Sequence, residues 1–127
     1  MTFLITTLYF LTFQTTPEQV VQKQLDTYNN RDIEGFMSVM SNDVTLFNLG
    51  EEEPLAKGYD AVKAIYKNLF DKSPNLKSTL KNRMVMGSKV VDHERITGRM
   101  GNTELLELIV VYQVENLKIN RITVIRP

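Results

Sequence analysis

Hydrophobic positions along this chain change their spacing once, near Leu76. Before that point they recur as on helices; after it they alternate as on strands. Thr16-Pro17-Glu18-Gln19 reads as a helix start, with Thr16 as cap, Pro17 in the first turn and Gln19 closing a capping box. Val21, Leu25 and Tyr28 then fall on one stripe. Asn29-Asn30-Arg31 breaks this helix. Asp32 opens a short second one, with Ile33, Phe36, Met37 and Met40 on a single face. Ser41-Asn42-Asp43 turns the chain into a strand over Val44–Asn48, and Glu51-Glu52-Glu53-Pro54 reads as a solvated acidic loop. Gly58 precedes a third helix striped by Val62, Ile65, Tyr66 and Leu69, closed by Ser73-Pro74-Asn75.

The second half predicts four long strands. Leu76–Met86 carries Leu80, Met84 and Met86 at period two, Gly87-Ser88 turns the chain, and Lys89–Thr97 alternates again. Gly98-Arg99-Met100-Gly101-Asn102 is a further turn. Glu104–Val114 is apolar on both sides, and Lys118–Arg126 closes the chain. Three helices interleaved with one strand, then four antiparallel strands, predict an α+β domain with helices on one face of a curved sheet. A strand apolar on both sides must be covered on both sides. Three helices cover only one face, so the other implies a partner, most simply a second copy of the chain.

Composition narrows the possibilities. The chain has 127 residues, room for one domain, with 15 basic and 15 acidic side chains. That balance argues against a nucleic-acid binder that relies on a basic surface. No cysteine is present, which removes disulfides, thiolate metal sites and a cysteine nucleophile, and one histidine removes a multi-histidine metal centre. No cofactor-binding motif appears, neither a glycine-rich phosphate loop nor a nucleophile elbow. Residues 1–15 stand apart as a charge-free, mostly apolar segment, too short for a membrane-spanning helix. Its length suits the apolar region of an export signal, yet no basic residue precedes it and no small-x-small cleavage site follows. Export, a cytoplasmic location with a leading strand, and a disordered tail all stay open, and the domain is assigned to residues 16–127.

The densest candidate chemistry is Asp92-His93-Glu94-Arg95, four ionisable residues in mid-strand. Alternation places Asp92 and Glu94 on one face and His93 and Arg95 on the other. Carboxylates facing an apolar cavity would have raised pKa values and could exchange protons near neutral pH. Equally, cross-strand ion pairs could use these residues to set strand register or a dimer contact. Tyr28 and Tyr66 lie on apolar helix stripes, either as core with the hydroxyl at the rim or as ligand contacts. The six methionines read as gap-filling core or pocket wall.

The layout resembles the nuclear transport factor 2-like superfamily, whose SnoaL-like members include ketosteroid isomerases. The resemblance rests on Asn29-Asn30-Arg31-Asp32-Ile33-Glu34, Ser41-Asn42-Asp43-Val44, Lys57-Gly58-Tyr59-Asp60-Ala61-Val62 with Tyr66, Asp92–Gly98 and Ile119-Asn120-Arg121-Ile122. It implies a cone in which three helices and a curved, mostly antiparallel sheet enclose an apolar pocket, with the outer sheet face pairing two copies. Ketosteroid isomerases use an Asp base with Tyr and protonated Asp donors. The corresponding positions here are Asn48, Gln24 and, approximately, Val110; only the supporting tyrosine, Tyr66, is kept. That mechanism is therefore not expected. The same correspondence points Asp92, Glu94, Ile122, Val124 and Arg126 into the pocket. Asp92 and Glu94 with Arg126 resemble in kind the Asp-Arg-Asp set of limonene epoxide hydrolases. A one-residue change of register would substitute His93 and Arg95.

Two functions follow as expectations. One is a pocket for a small apolar molecule, with cofactor-free acid–base chemistry by Glu94 or Asp92 as isomerase, hydrolase or lyase. Tyr66, Tyr28, Asn48, Gln24, Val110 and Arg126 would contact the ligand. The other is a non-catalytic binding or dimerisation module, in which the polar strand cluster serves association.

Overall fold

The computed structural model describes residues 2–8 and 14–127. Within the leading segment, residues 2–8 and 14–16 have no regular structure. The expectation of a signal, strand or tail also falls on residues 1 and 9–13, which lie outside the described residues. No helix among the described residues is long and apolar enough to cross a membrane.

Helix α1 (Pro17–Asn29) starts as its sequence requires: Thr16 Oγ1 accepts from the Gln19 amide, and the Gln19 side chain accepts from the Thr16 amide. Its last residue docks it on the sheet, since the Asn29 amide group exchanges two hydrogen bonds with the Ser78 backbone, at 2.7 and 3.0 Å. Asp32 caps α2 (Ile33–Met37), and α3 spans Tyr59–Asp71. Helix α2 is shorter than its apolar pattern predicts. Met40 already belongs to strand β1 (Met40–Asn48), whose pairing is interrupted between Met40 and Thr45, so the expected turn at Ser41–Asp43 becomes an irregularity inside the strand.

The remaining strands are β2 (Ala56–Lys57), β3 (Lys77–Met86), β4 (Lys89–Thr97), β5 (Leu106–Glu115) and β6 (Lys118–Ile125). They form one sheet in the order β2-β1-β6-β5-β4-β3, antiparallel except where β1 runs parallel to β6. Helix α1 packs on β3 to β6, α3 on β1 and β2, and α2 joins the two helices. The core between them includes Val21, Phe36, Met37, Val44, Val62, Val90, Ile119 and Ile122, each no more than 1% exposed.

Two bulges decide which side chains face that core. On β3, Leu80 pairs with Glu94 and Asn82 with His93, leaving Lys81 as the extra residue. On β6, Ile119 pairs with Val114 and Arg121 with Gln113, leaving Asn120. A bulge reverses every later side chain on its strand. Met84 and Met86, expected to continue the stripe of Leu80, consequently point outward and are 64% and 83% exposed, while Arg83 turns inward. Of the described methionines, only Met37 and Met40 are buried core.

Candidate functional site

The helices and the sheet enclose a cavity of about 310 Å³. Its apolar wall comes from Leu46 of β1, Leu69 of α3, Ile96 of β4, Leu108 and Val110 of β5, and Val124 of β6. Polar groups enter from four sides. Gln24 and Tyr28 come from α1, one turn apart, Tyr66 from α3, Glu94 from β4 and Tyr112 from β5. Two phenylalanine rings, Phe36 and Phe70, pack against the tyrosines of the helical layer. Phe36 of α2 lies 4.4 Å between centroids from Tyr66 and 5.5 Å, edge-on, from Phe70, and Phe70 meets Tyr28 edge-on at 5.6 Å.

Glu94 is the group with chemical potential. It is 4% exposed and has no hydrogen bond or ion pair among the described residues. Burial lifts its pKa to about 7, the Asp92 carboxylate adds to the rise, and Arg83 opposes it. A carboxyl at that value can donate a proton or accept one near neutrality. Burial also pushes the hydroxyls of Tyr28, Tyr66 and Tyr112 above the ordinary phenol range, so all three remain hydrogen-bond donors across the working pH range. Gln24 is 4% exposed, and its Oε1 is buried without a partner among the described residues. A buried acceptor left unpaired is costly, and a ligand hydroxyl or amide in the cavity would satisfy it.

Asp92 shares Glu94's face but not its situation. It is fully buried and bound by both arms of Arg83, Nε to Oδ1 at 2.7 Å and Nη2 to Oδ2 at 2.8 Å, while Arg83 Nη1 donates to Gln22 Oε1 at 2.8 Å. Asp92 does not line the cavity. Its bidentate pairing with Arg83, and the bond from Arg83 to Gln22, join β3, β4 and α1. Asn48 is likewise outside the lining. Set at the end of β1, its side chain makes two 3.5 Å contacts among the described residues, to Glu51 and to Arg126. Val110 and Arg126 do line the cavity. His93 and Arg95 lie on the outer face of the sheet, both against Glu107, so the alternative register is not the one adopted.

Several lining residues were not singled out by the sequence pattern. Tyr112 was readable, since it continues the alternation of Leu108 and Val110 on β5. Arg99 and Met100 were not. They belong to a one-turn 3-10 helix, Arg99–Gly101, that folds back over the cavity. Gly98 allows this with φ of +74°, packed so closely on the Asn75 carbonyl that a Cβ would stand 2.2 Å from its oxygen. The Met100 amide then donates to the buried Ser73 hydroxyl at 2.7 Å. Among the described residues no group of three His, Asp or Glu side chains could hold a metal ion.

A sequence model of the SnoaL-like domain matches residues 21–122, which contain most of α1, all of α2 and α3, five of the six strands in full and every cavity-lining residue except Val124 and Arg126. The chain belongs to the SnoaL-like domain family. This SnoaL-like domain matches no curated protein at a significant level. Among solved structures it is similar to a cystatin-fold protein from Novosphingobium aromaticivorans, at 19% identity and TM-score 0.81, over 89% of this chain and 100% of that one. It is also similar to an LEH-like epoxide hydrolase from Mycobacterium tuberculosis (12% identity, TM-score 0.72, 87% and 82% covered). A third similar structure is TerC co-crystallised with polyporic acid (18% identity, TM-score 0.73, 87% and 91% covered). At these identities the likeness establishes the fold that the sequence resemblance implied, and function rests on the site.

Proposed function

We propose that this SnoaL-like domain binds a small, mostly apolar molecule in its cavity and acts on it by cofactor-free acid–base chemistry through Glu94. The observation that carries this reading is the unpaired, buried Glu94 carboxyl on the wall of an apolar cavity, with a pKa near 7. Tyr28, Tyr66, Tyr112 and Gln24 position the ligand by hydrogen bonds. Similar structures that include an epoxide hydrolase and a protein crystallised with a small molecule support a ligand-binding use of the fold. Asp92 contributes indirectly, by raising the proton affinity of Glu94.

A thermal-shift screen of wild type and Glu94→Gln tests this, with apolar ketones, epoxides, sterols and aromatic acids as the panel. A compound at 100 times its Kd adds about 2.7 kcal/mol of stability. The expected result is at least one compound that stabilises wild type, with a changed shift in Glu94→Gln and no turnover by that variant. A flat panel, or turnover that survives Glu94→Gln, would overturn it.

The second expectation, association, is supported by a different surface and is compatible with the first. We propose that the outer sheet face pairs two copies of the chain. Ile109, 39% exposed, stands there with Val111 of its own strand and Ile125 of the neighbouring β6, bordered by the His93–Glu107–Arg95 cluster.

A further inference from the structure

The charges on the cavity lining do not balance. The chain as a whole has 15 basic and 15 acidic side chains, yet the lining holds one carboxyl, Glu94, and two guanidiniums, Arg99 and Arg126. With Glu94 protonated, the cavity presents two positive charges and no negative one.

The other four arginines all have partners. Arg83 binds Asp92 through both arms, and Arg95 faces Glu107 at 3.9 Å. Arg31 donates to the Asn29 and Leu76 carbonyls at 3.4 Å, and Arg121 lies over the Phe47 ring, 4.1 Å from its centroid. Arg99 and Arg126 alone have no carboxylate, carbonyl or ring to meet among the described residues. The one hydrogen bond of either guanidinium among the described residues is a 3.5 Å approach of Arg126 Nε to the neutral Asn48 Oδ1. That is at the outer limit for a hydrogen bond. A folded chain with equal numbers of both charges has left two guanidiniums without counter-charge at one opening.

Their placement is built. Arg99 is held at its backbone by Gly98 packed on Asn75 and by the Met100 amide bonded to Ser73. Arg126 directly follows β6, whose Val124 is part of the wall. The fields of both arginines reach one point inside, because each stabilises the ionised form of the Tyr66 hydroxyl. Guanidinium is the side chain best suited to a carboxylate or another planar oxyanion, through paired N–H donors.

We propose that the ligand of this cavity is an amphiphilic anion, with an apolar ring-containing body enclosed by the wall and an ionised oxygen group, such as a carboxylate, held by Arg99 and Arg126. This rests on the cavity being the binding site and adds the charge of what it takes. Neutral apolar compounds of the same shape forgo the contact with both arginines, and cations are repelled.

Isothermal titration calorimetry with 2-naphthoate and its uncharged counterpart 2-naphthamide decides the matter, run below the pH at which Glu94 ionises. The proteins are wild type, the double variant Arg99→Gln/Arg126→Gln, and Val110→Phe as a filled cavity, with Leu108→Phe replacing it should Val110→Phe not fold. Wild type is expected to bind naphthoate about tenfold tighter than naphthamide. The double variant should bind the two alike, and added salt should weaken only naphthoate binding to wild type. Equal affinities in wild type, or a preference that survives in the double variant, would overturn the charge assignment while leaving the cavity reading intact. Binding of both probes undiminished in the filled-cavity variant, or binding of neither to wild type, would overturn the cavity reading and the assignment with it.

Discussion

Asp92 and Glu94 occupy the same face of one strand, two residues apart, and differ because the guanidinium of Arg83 closes on only one of them. With Arg83 engaged, the charge that reaches Glu94 from Asp92 is repulsive, and burial adds to it. Raising a carboxyl pKa in the folded state makes stability fall with pH. Between the ordinary glutamate value and about 7 the folded chain binds the extra proton, so stability is fully present below that window and lost as pH rises through it. The loss attributable to Glu94 is on the order of 3 kcal/mol. Urea titrations of wild type and Glu94→Gln at a series of pH values should therefore show wild type losing ground to the variant as pH rises to about 7, then a constant difference above it. Parallel pH profiles would mean Glu94 titrates as an ordinary exposed carboxyl. The groups that face Glu94 are Tyr28, Tyr66, Tyr112, Asp92 and Arg83, together with Arg99 and Arg126 at the opening. The phenols titrate well above this window, which leaves Glu94 as the lining group that changes charge within it. That an ionisable residue at position 94 faces inward was readable from strand alternation. That Asp92 would be paired with Arg83 was not, because Arg83 faces inward only after the bulge at Lys81 has reversed β3.

At the scale of elements, the same ion pair is a fastening. Arg83 on β3, Asp92 on β4 and Gln22 on α1 are joined by three hydrogen bonds of 2.7 to 2.8 Å, close beneath the helix that supplies Gln24 and Tyr28 to the cavity. Removing one partner of a buried pair leaves the other charge uncompensated, typically at a cost of about 3–5 kcal/mol, whereas replacing both with apolar groups is often neutral. Arg83→Met is accordingly expected to lower the urea midpoint sharply, and Arg83→Met/Asp92→Leu to recover most of the loss. A single variant as stable as wild type would show that the pair fastens nothing. These elements were legible because their signals are local: a capping box and stripe for α1, Asp32 for the start of α2, alternation for β4 and β6, and a continuous apolar run for β5. What was not legible depends on contacts between distant parts of the chain. Strand β2 has two residues and exists through pairing with Thr45 and Leu46. The 3-10 helix that brings Arg99 to the cavity depends on Ser73 and Asn75, more than twenty positions earlier. Met84 and Met86 follow a perfect period two and still face outward, because one inserted residue outweighs the pattern on either side of it.

For the molecule as a whole, the sheet has two faces and the helices cover one. Strand β5 shows the consequence most directly: Leu108, Val110, Tyr112 and Val114 are buried beneath the helices, while Ile109 and Val111 alternate with them on the other side. On that outer face Val111 pairs with Val91 of β4 and Thr123 of β6, and Ile109 with His93 and Ile125, so an apolar strip crosses three strands. Apolar side chains grouped on an uncovered sheet face suit a partner surface. A two-fold arrangement would let the strip cover itself, since the same patch is presented by both partners, with the His93–Glu107–Arg95 cluster at its border. Sedimentation equilibrium is expected to give twice the chain mass for wild type and the single chain mass for Ile109→Lys, because two-fold pairing sets a new charge in each copy against the apolar strip of the other. The variant's melting temperature measured at low concentration should be close to that of dissociated wild type, as Ile109 is outside the core. A monomeric wild type, or an Ile109→Lys protein that still dimerises, would rule this face out. The helix-covered cavity lies on the opposite side of the sheet from Ile109, so ligand affinity per chain should be the same in the dimer and in Ile109→Lys. Were affinity to fall with dissociation, the two faces would be coupled through β5, the strand that contributes Val110 and Tyr112 to one and Ile109 and Val111 to the other.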